Sequence, residues 1–169
     1  MKNQLLNLKM IALMCLMMVL GGANVWADNV SYKLFGSKWN ATCDGVSTNW
    51  TSIAGAYNNN TDVQVTSAYS GACANSPISF ENIKSVKIYY HTNPKAGVGT
   101  ISIYGVEQTS SVAKSGTQIG STFTVTKPSS NGTTSKSTTF VPSTSVSGYV
   151  QIYVTCSTNS VYIESVDIE

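Results

Sequence analysis

Alternation is the feature that constrains this chain most. Residues 30–35 (VSYKLF), 62–68 (DVQVTSA), 85–91 (SVKIYYH), 100–104 (TISIY), 122–126 (TFTVT), 137–141 (STTFV), 149–156 (YVQIYVTC) and 160–168 (SVYIESVDI) each switch between apolar and polar side chains. A period of two sends successive side chains to opposite faces of a strand, and no stretch carries the 3.6-residue stripe that a packed helix needs. The breaks hold turn formers: Asn58-Asn59-Asn60, Asn93-Pro94, residues 128–132 (PSSNG) and Thr158-Asn159-Ser160. About eight short strands rich in Thr, Val, Ile and Tyr predict an all-β fold, an antiparallel β-sandwich or jelly roll, with an up-and-down barrel as the less favoured relative. Residues 127–137 contain no apolar side chain and read as a mobile loop.

Parity then predicts the core. Val63, Val65, Val86, Ile88, Tyr90, Ile101, Ile103, Phe123, Val125, Phe140, Val150, Ile152, Val154, Val161 and Ile163 fall on the apolar faces. After Ile163 the apolar positions move to Val166 and Ile168, which calls for a bulge in the last strand.

A second break, in composition, falls at Ala27. Before it come Lys2 and Lys9, an apolar run at residues 11–20 (IALMCLMMVL) and the small-x-small signal Val25-Trp26-Ala27. These are the parts of a cleaved secretory signal peptide, and the run is too short for a permanent membrane anchor. Residues 1–27 are read as that leader and 28–169 as one β-sandwich domain. Met14 ahead of Cys15 argues against a lipid-anchoring cysteine. All five Met leave with the leader, and the remaining chain of about 142 residues is the size of one ordinary domain.

Export also resets the charge. The whole chain carries +2, but the leader holds two of the lysines, so residues 28–169 are close to neutral and contain no Arg. Nucleic-acid binding relies on clustered basic side chains and bidentate Arg, and anionic membrane surfaces attract polybasic stretches; neither is present. The expected location is secreted, periplasmic or at the cell surface of a bacterium, with no membrane insertion once the leader is removed.

Three cysteines remain in an oxidising compartment, so one intramolecular pair at most can form. Cys43 (NATCDG) and Cys73 (SGACAN) sit among turn formers, while Cys156 ends an apolar strand face. The expectation is a Cys43–Cys73 disulfide with Cys156 as a buried thiol, the pair Cys73–Cys156 remaining open. The sequons at Asn29, Asn40, Asn49, Asn59 and Asn131 read as by-products of an Asn/Ser/Thr-rich surface.

Residues 65–88 (VTSAYSGACANSPISFENIKSVKI) and the closing SVYIESVDIE arm resemble the small jelly-roll accessory domains of secreted bacterial surface proteins. The resemblance implies a carbohydrate-binding or interaction module rather than a catalytic one, and transfers no binding residue.

Catalytic and metal chemistry find little support. His91, the only histidine, reads as a surface strand residue, because neither Cys43 nor Cys73 lies in a recognisable nucleophile motif. One His and scattered Cys cannot build a zinc site. A structural calcium ion needs only carbonyls and one or two carboxylates, for which Asp28, Asp44, Asp62, Asp167 and Glu169 are the candidates. No pair of acids announces a glycosidase, so no enzyme activity and no catalytic residue is expected.

The positive signal is aromatic. The parity that buries Val and Ile sends Tyr89, Tyr104, Tyr149, Tyr153 and Tyr162 outward, beside Lys87, His91, Ser102 and Gln151. Flat rings next to amide, hydroxyl and ammonium groups suit a sugar, whose C–H faces stack while its hydroxyls take hydrogen bonds. Trp39, Trp50 and Tyr57, with Asn58 to Asn60, offer a second, loop-borne site. The expected ligand is a glycan, with a surface protein as the alternative partner of a structural or adhesive module.

Overall fold

The computed structural model describes residues 29–127 and 132–169; the leader, Asp28 and most of the PSSNG turn lie outside them. Ten strands run in chain order: β1 (Val30–Phe35), β2 (Asn40–Cys43), β3 (Val46–Ser47), β4 (Thr51–Ala54), β5 (Val63–Thr66), β6 (Ala72–Phe80), β7 (Val86–Val106), β8 (Thr117–Val125), β9 (Lys136–Phe140) and β10 (Gly148–Ile168). Every pairing is antiparallel, and the described residues contain no α-helix, only a 3-10 turn at Ser67–Tyr69. The all-β antiparallel expectation holds. The expected eight strands in a two-sheet jelly roll do not appear as such: the ten join in one sheet that curls into a half-barrel.

The reason lies in two predicted turns that do not reverse the chain. Segments 85–91 and 100–104 are parts of β7, and 149–156 and 160–168 are parts of β10; the two strands pair along their whole length, from Tyr149↔Val106 to Ile168↔Val86. Asn93-Pro94 and Thr158–Ser160 sit where the register shifts, between Cys156 and Thr158 and between Asn159 and Val161. Asn159 takes φ 56°, the left-handed conformation that Asn tolerates. Glycine is required opposite: a Cβ on Gly97 would strike the Ser160 carbonyl oxygen, and one on Gly99 that of Thr155. Turn chemistry here bends a strand pair instead of closing a hairpin.

The bend divides the sheet. In the first half, the start of β10 lies between β6 and the end of β7, with β4 beyond β6 and β8 beyond β7. In the second half, the end of β10 lies between β5 and β1 on one side and the start of β7 on the other, with β2, β3 and β9 outermost. The concave side encloses one core. All the core residues expected from parity are buried, except Phe123, which is partly buried and packs against Tyr90 with ring centroids 5.5 Å apart. The bulge expected after Ile163 is present as a register shift between Ile163 and Ser165, which returns Val166 and Ile168 to the core. Each fully buried Val or Ile stabilises the fold by about 1.5–3 kcal/mol relative to exposure.

β6 carried no period-two signal because it is buried on both faces over Ala72–Ser76. Pro77 has no N–H to offer a neighbour, and there the pairing with β10 shifts register. The Ser76 hydroxyl makes the adjustment: it accepts from the Val150 N–H at 2.9 Å and donates to the Ile78 carbonyl at 2.7 Å. The segment expected as a loop over 127–137 is shorter than expected, since β9 begins at Lys136.

Candidate functional site

The convex side of the sheet carries the outward residues, and the two halves treat them differently. In the first half, Gln151 lies directly opposite both Tyr104 on β7 and Asn75 on β6, with Tyr149 and Tyr153 two residues to either side on β10. Residues in register on an antiparallel ladder share a face. This face is covered. The connection between β7 and β8, residues 107–116, lies across it as a strap, held by the side-chain amides of Asn75 and Gln151, both fully buried. Asn75 Nδ2 donates to the carbonyls of Thr109 (2.7 Å), Ser111 (3.2 Å) and Gln108 (3.4 Å); Gln151 Nε2 donates to Asn75 Oδ1 at 2.8 Å. Gln151 Oε1 accepts from the Lys114 backbone N–H at 2.6 Å, and Lys114 Nζ lies 4.4 Å from the centroid of the Tyr153 ring. Lys114 has φ 60°, a strained value for a residue with a side chain, which the bond to Gln151 helps to hold. Tyr104, Tyr149 and Tyr153 are half-buried beside this clamp, and Gln151, expected to be available to a ligand, serves the strap instead.

The second half is more open. Tyr57 forms an isolated bridge with Gln64, Gln64 pairs with Tyr162, and Tyr162 pairs with His91. The four side chains therefore make one row across the convex face. His91 and Tyr162 stack, with ring centroids 4.3 Å apart and planes 8° from parallel. Two carboxylates reach the same imidazole nitrogen: Asp62 Oδ2 at 3.5 Å and Glu164 Oε1 at 4.0 Å from His91 Nε2. Glu164 is fixed on its other oxygen by the Ser135 hydroxyl at 2.5 Å, and Gln64 Nε2 donates to the Ser160 hydroxyl at 3.0 Å. Glu164 owes its position to the bulge after Ile163, the point at which β10 slips one residue against β7. Tyr89 lies on the same face, two residues before His91, with Lys87 Nζ 4.8 Å from its ring centroid. At the open end, Tyr57 and Tyr69 meet edge to face at 5.9 Å and are 47% and 44% exposed.

The structure thus brings Tyr57, Tyr89 and His91 onto one face with Tyr162, and leaves Tyr104, Tyr149 and Tyr153 together under or beside the strap. It removes Trp39 and Trp50 from consideration as ligand-binding residues. Both are core: Trp39 is 0% and Trp50 3% exposed, Trp39 Nε1 donates to the Ala54 carbonyl at 3.2 Å, and Trp50 packs edge-on to Tyr32 at 5.6 Å. Neither indole has a face for a ligand.

The Cys43–Cys73 disulfide is absent. All three cysteines are buried and unbridged, Cys43 and Cys156 within the concave core and Cys73 outside that cluster, opposite Tyr153 on the convex face. A bridge between Cys43 and Cys73 would have to pass through the sheet. Burial pushes the Cys73 thiol up to about 12 and raises the Cys156 thiol, so neither is disposed to form the reactive thiolate.

Among the described residues no group of three or more His, Cys, Asp or Glu is arranged to hold a metal ion. Of the carboxylates considered for calcium, Asp62 faces His91, Asp167 accepts from the Ser31 hydroxyl at 2.7 Å, and Glu169 accepts from the Ser85 hydroxyl at 3.3 Å. Asp44 stands in an exposed turn with φ 49°. No described helix is long and apolar enough to cross a membrane. Comparison with protein-family models, curated proteins and solved structures finds no match.

Three of the groups on this face escaped the sequence reading as parts of a site. Gln64 and Glu164 come from different strands and Ser135 from the connection before β9, and only the pairing of β5 with β10, β10 with β7 and β7 with β9 brings them to one side of the sheet.

Proposed function

We propose that this chain is an exported, non-enzymatic protein that binds carbohydrate through the convex face of its second half-sheet, in the periplasm or at the bacterial cell surface. The observation that carries this reading is the row Tyr57, Gln64, Tyr162 and His91, with Asp62 and Glu164 beside it. Rings supply apolar faces for sugar C–H groups, and amide and carboxylate oxygens accept from hydroxyls. The curled sheet supports that row as a jelly-roll sandwich would.

The same geometry favours binding over hydrolysis. A glycosidase needs its two carboxylates on either side of the scissile bond, whereas Asp62 and Glu164 both turn to one nitrogen of His91, at 3.5 and 4.0 Å. The test is a glycan array followed by isothermal titration, run with calcium and with EDTA. Binding that disappears in Tyr162→Ala, with the melting temperature little changed, is the expected result. No glycan binding under either condition would refute the proposal.

A second reading, as a structural or adhesive subunit, rests on β8. Its nine residues (TQIGSTFTV) contain no charge and pair only with β7, so one edge is open to strand addition. Concentration-dependent assembly in sizing chromatography with light scattering would favour it; a monomer at all concentrations would remove it.

A further inference from the structure

Resting on the carbohydrate reading, we infer that the binding surface runs along β7 and β10 from the His91–Tyr162 pair to a polar cleft at the far end of the same face, and that its ligand is an uncharged, extended glycan chain. The cleft has a volume of about 500 Å³ and is lined by Asn29, Ser31, Ser85, Lys87, Asp167 and Glu169. Ser31 on β1 pairs with Asp167 on β10, and Asp167 pairs with Lys87 on β7. The β7–β10 ladder continues to Ser85 and Glu169, which exchange backbone hydrogen bonds at 3.0 and 3.2 Å. Partners in register share a face, and residues two apart on a strand return to it. The residues that alternate with these, Val30, Val86, Val166 and Ile168, lie in the concave core, so the cleft opens on the convex side.

The cleft is continuous with the His91–Tyr162 pair. Lys87, Tyr89 and His91 occupy successive outward positions of β7, and Asp167, Ser165 and Tyr162 are their partners on β10. A strand advances about 3.4 Å per residue, which puts Lys87 and His91 about 14 Å apart. That span exceeds one pyranose ring. A single sugar fills one end, whereas a chain lying along the strands over Tyr89 fills both. β-1,4-linked chains of equatorial units are extended and follow such a line; α-1,4-linked chains curve away from it.

The chemistry of the cleft fits sugar hydroxyls. The Ser31 hydroxyl donates to Asp167 Oδ1 at 2.7 Å and the Ser85 hydroxyl to Glu169 Oε2 at 3.3 Å, both in exposed positions. The second oxygen of each carboxylate lies outside these bonds, and Lys87 Nζ, 4.8 Å from the Tyr89 ring centroid, is a donor on the same strip. Adjacent hydroxyls of a sugar, each both donor and acceptor, match a carboxylate beside an ammonium, and hydrogen bonds to charged groups are the stronger kind. Charge then selects among sugars. The cleft sets two carboxylates against one ammonium, and Asp62 and Glu164 stand at the His91 end. A uronate or sulfated chain meets like charge at both ends and is disfavoured.

The experiment titrates isotope-labelled mature protein with the dimers and tetramers of β-1,4-linked glucose, N-acetylglucosamine, mannose and xylose, followed by amide NMR shifts. At least one tetramer should bind at least tenfold more tightly than its dimer, with shifts that extend from Tyr162 and His91 through Tyr89 to Ser31 and Lys87. Asp167→Ala, which breaks only an exposed hydrogen bond within the fold, should bring that tetramer down to the affinity of the dimer. Equal affinities of dimer and tetramer, shifts that never reach the cleft, unchanged tetramer binding by Asp167→Ala, or binding only of acidic or α-linked glycans on an array overturns the extended surface and leaves the carbohydrate reading standing. No binding of any glycan overturns both.

Discussion

Replacing Gln151 by Ala should loosen the strap and cost about 3 kcal/mol. Gln151 is fully buried and joins β10 to the strap through two short hydrogen bonds, to Asn75 at 2.8 Å and from Lys114 at 2.6 Å, and two longer ones, to Val112 at 3.3 Å and Ser111 at 3.4 Å. Each short bond contributes about 1 kcal/mol net, and stranding its buried partner adds about 1–3 kcal/mol. Water entering the gap left by the side chain recovers part of that penalty, which places the total near 3 kcal/mol. For a domain of this size the melting temperature should fall by about 10 °C. Urea unfolding measures the free energy, and trypsin cleavage after Lys114, an exposed residue, reports on the strap itself; cleavage should accelerate well before global unfolding. Because Asn75 and Gln151 share one network, Asn75→Ala and Gln151→Ala should be less than additive by more than about 0.5 kcal/mol. A Gln151→Ala protein within about 0.5 kcal/mol of the unsubstituted one, cleaved no faster, would refute the claim that these amides hold the strap.

Alkylation with and without reductant should give the same mass after unfolding, with all three cysteines of residues 29–169 modified in both, since none is bridged; a chain that takes up two fewer alkyl groups without reductant would show a disulfide. Cys73 has its thiol raised from 9.0 to about 12 by burial, so the folded state favours the neutral form: its contribution to stability is complete below pH 9 and is lost as pH rises toward 12. The stability difference between the unsubstituted protein and Cys73→Ala, followed by urea unfolding across that range, should shrink with pH, and a constant difference would contradict it. Trp50→Ala removes a side chain 3% exposed that packs on Tyr32 and should destabilise by about 3–5 kcal/mol; a Trp50 acting as an exposed ligand platform would cost far less. Gly99→Ala should cost at least about 1–3 kcal/mol, because the added Cβ meets the Thr155 carbonyl at the crossing of β7 and β10, and an unchanged urea midpoint would show that the bend tolerates a side chain.

Parity was a reliable guide wherever a strand has one dry and one wet face. Val150, Ile152 and Val154, or Val161 and Ile163, alternate with polar neighbours because the concave core lies on one side only. It failed on β6, where the strap buries Asn75 from the convex side while Ala72 and Ala74 face the core, so polar and small residues replace the alternation. Turn formers were legible as places of irregular backbone but not as bends or reversals, since Asn159 serves a kink as readily as a hairpin; what decides is whether the partner strand bends with it, and that depends on glycines some sixty residues away. Trp39 and Trp50 looked loop-borne because β2, β3 and β4 are short and lack periodicity, yet this corner of the core needs large side chains to close it.

Tyrosine on an outward strand position has two fates here, and they differ in what stands opposite. Tyr153 faces a strap whose backbone is held by buried amides, and its ring receives Lys114 from the same chain. That ring already has its cation and its cover, so a ligand would have to displace an internal contact. Tyr162 has the His91 imidazole against its ring and, in the same row, Gln64 on β5 and beyond it the exposed Tyr57. The polar groups near it stay in reach of solvent: Asp62 and Glu164 stand 3.5 and 4.0 Å from His91, and the Ser135 bond to Glu164 is exposed, whereas Gln151 and Asn75, which close the strap, are fully buried. Short, buried and saturated polar contacts mark the face that stabilises the fold. The face whose contacts are exposed or half-exposed keeps hydrogen-bonding capacity for a ligand, which is why the same residue type belongs to the scaffold on one half-sheet and to the proposed binding surface on the other.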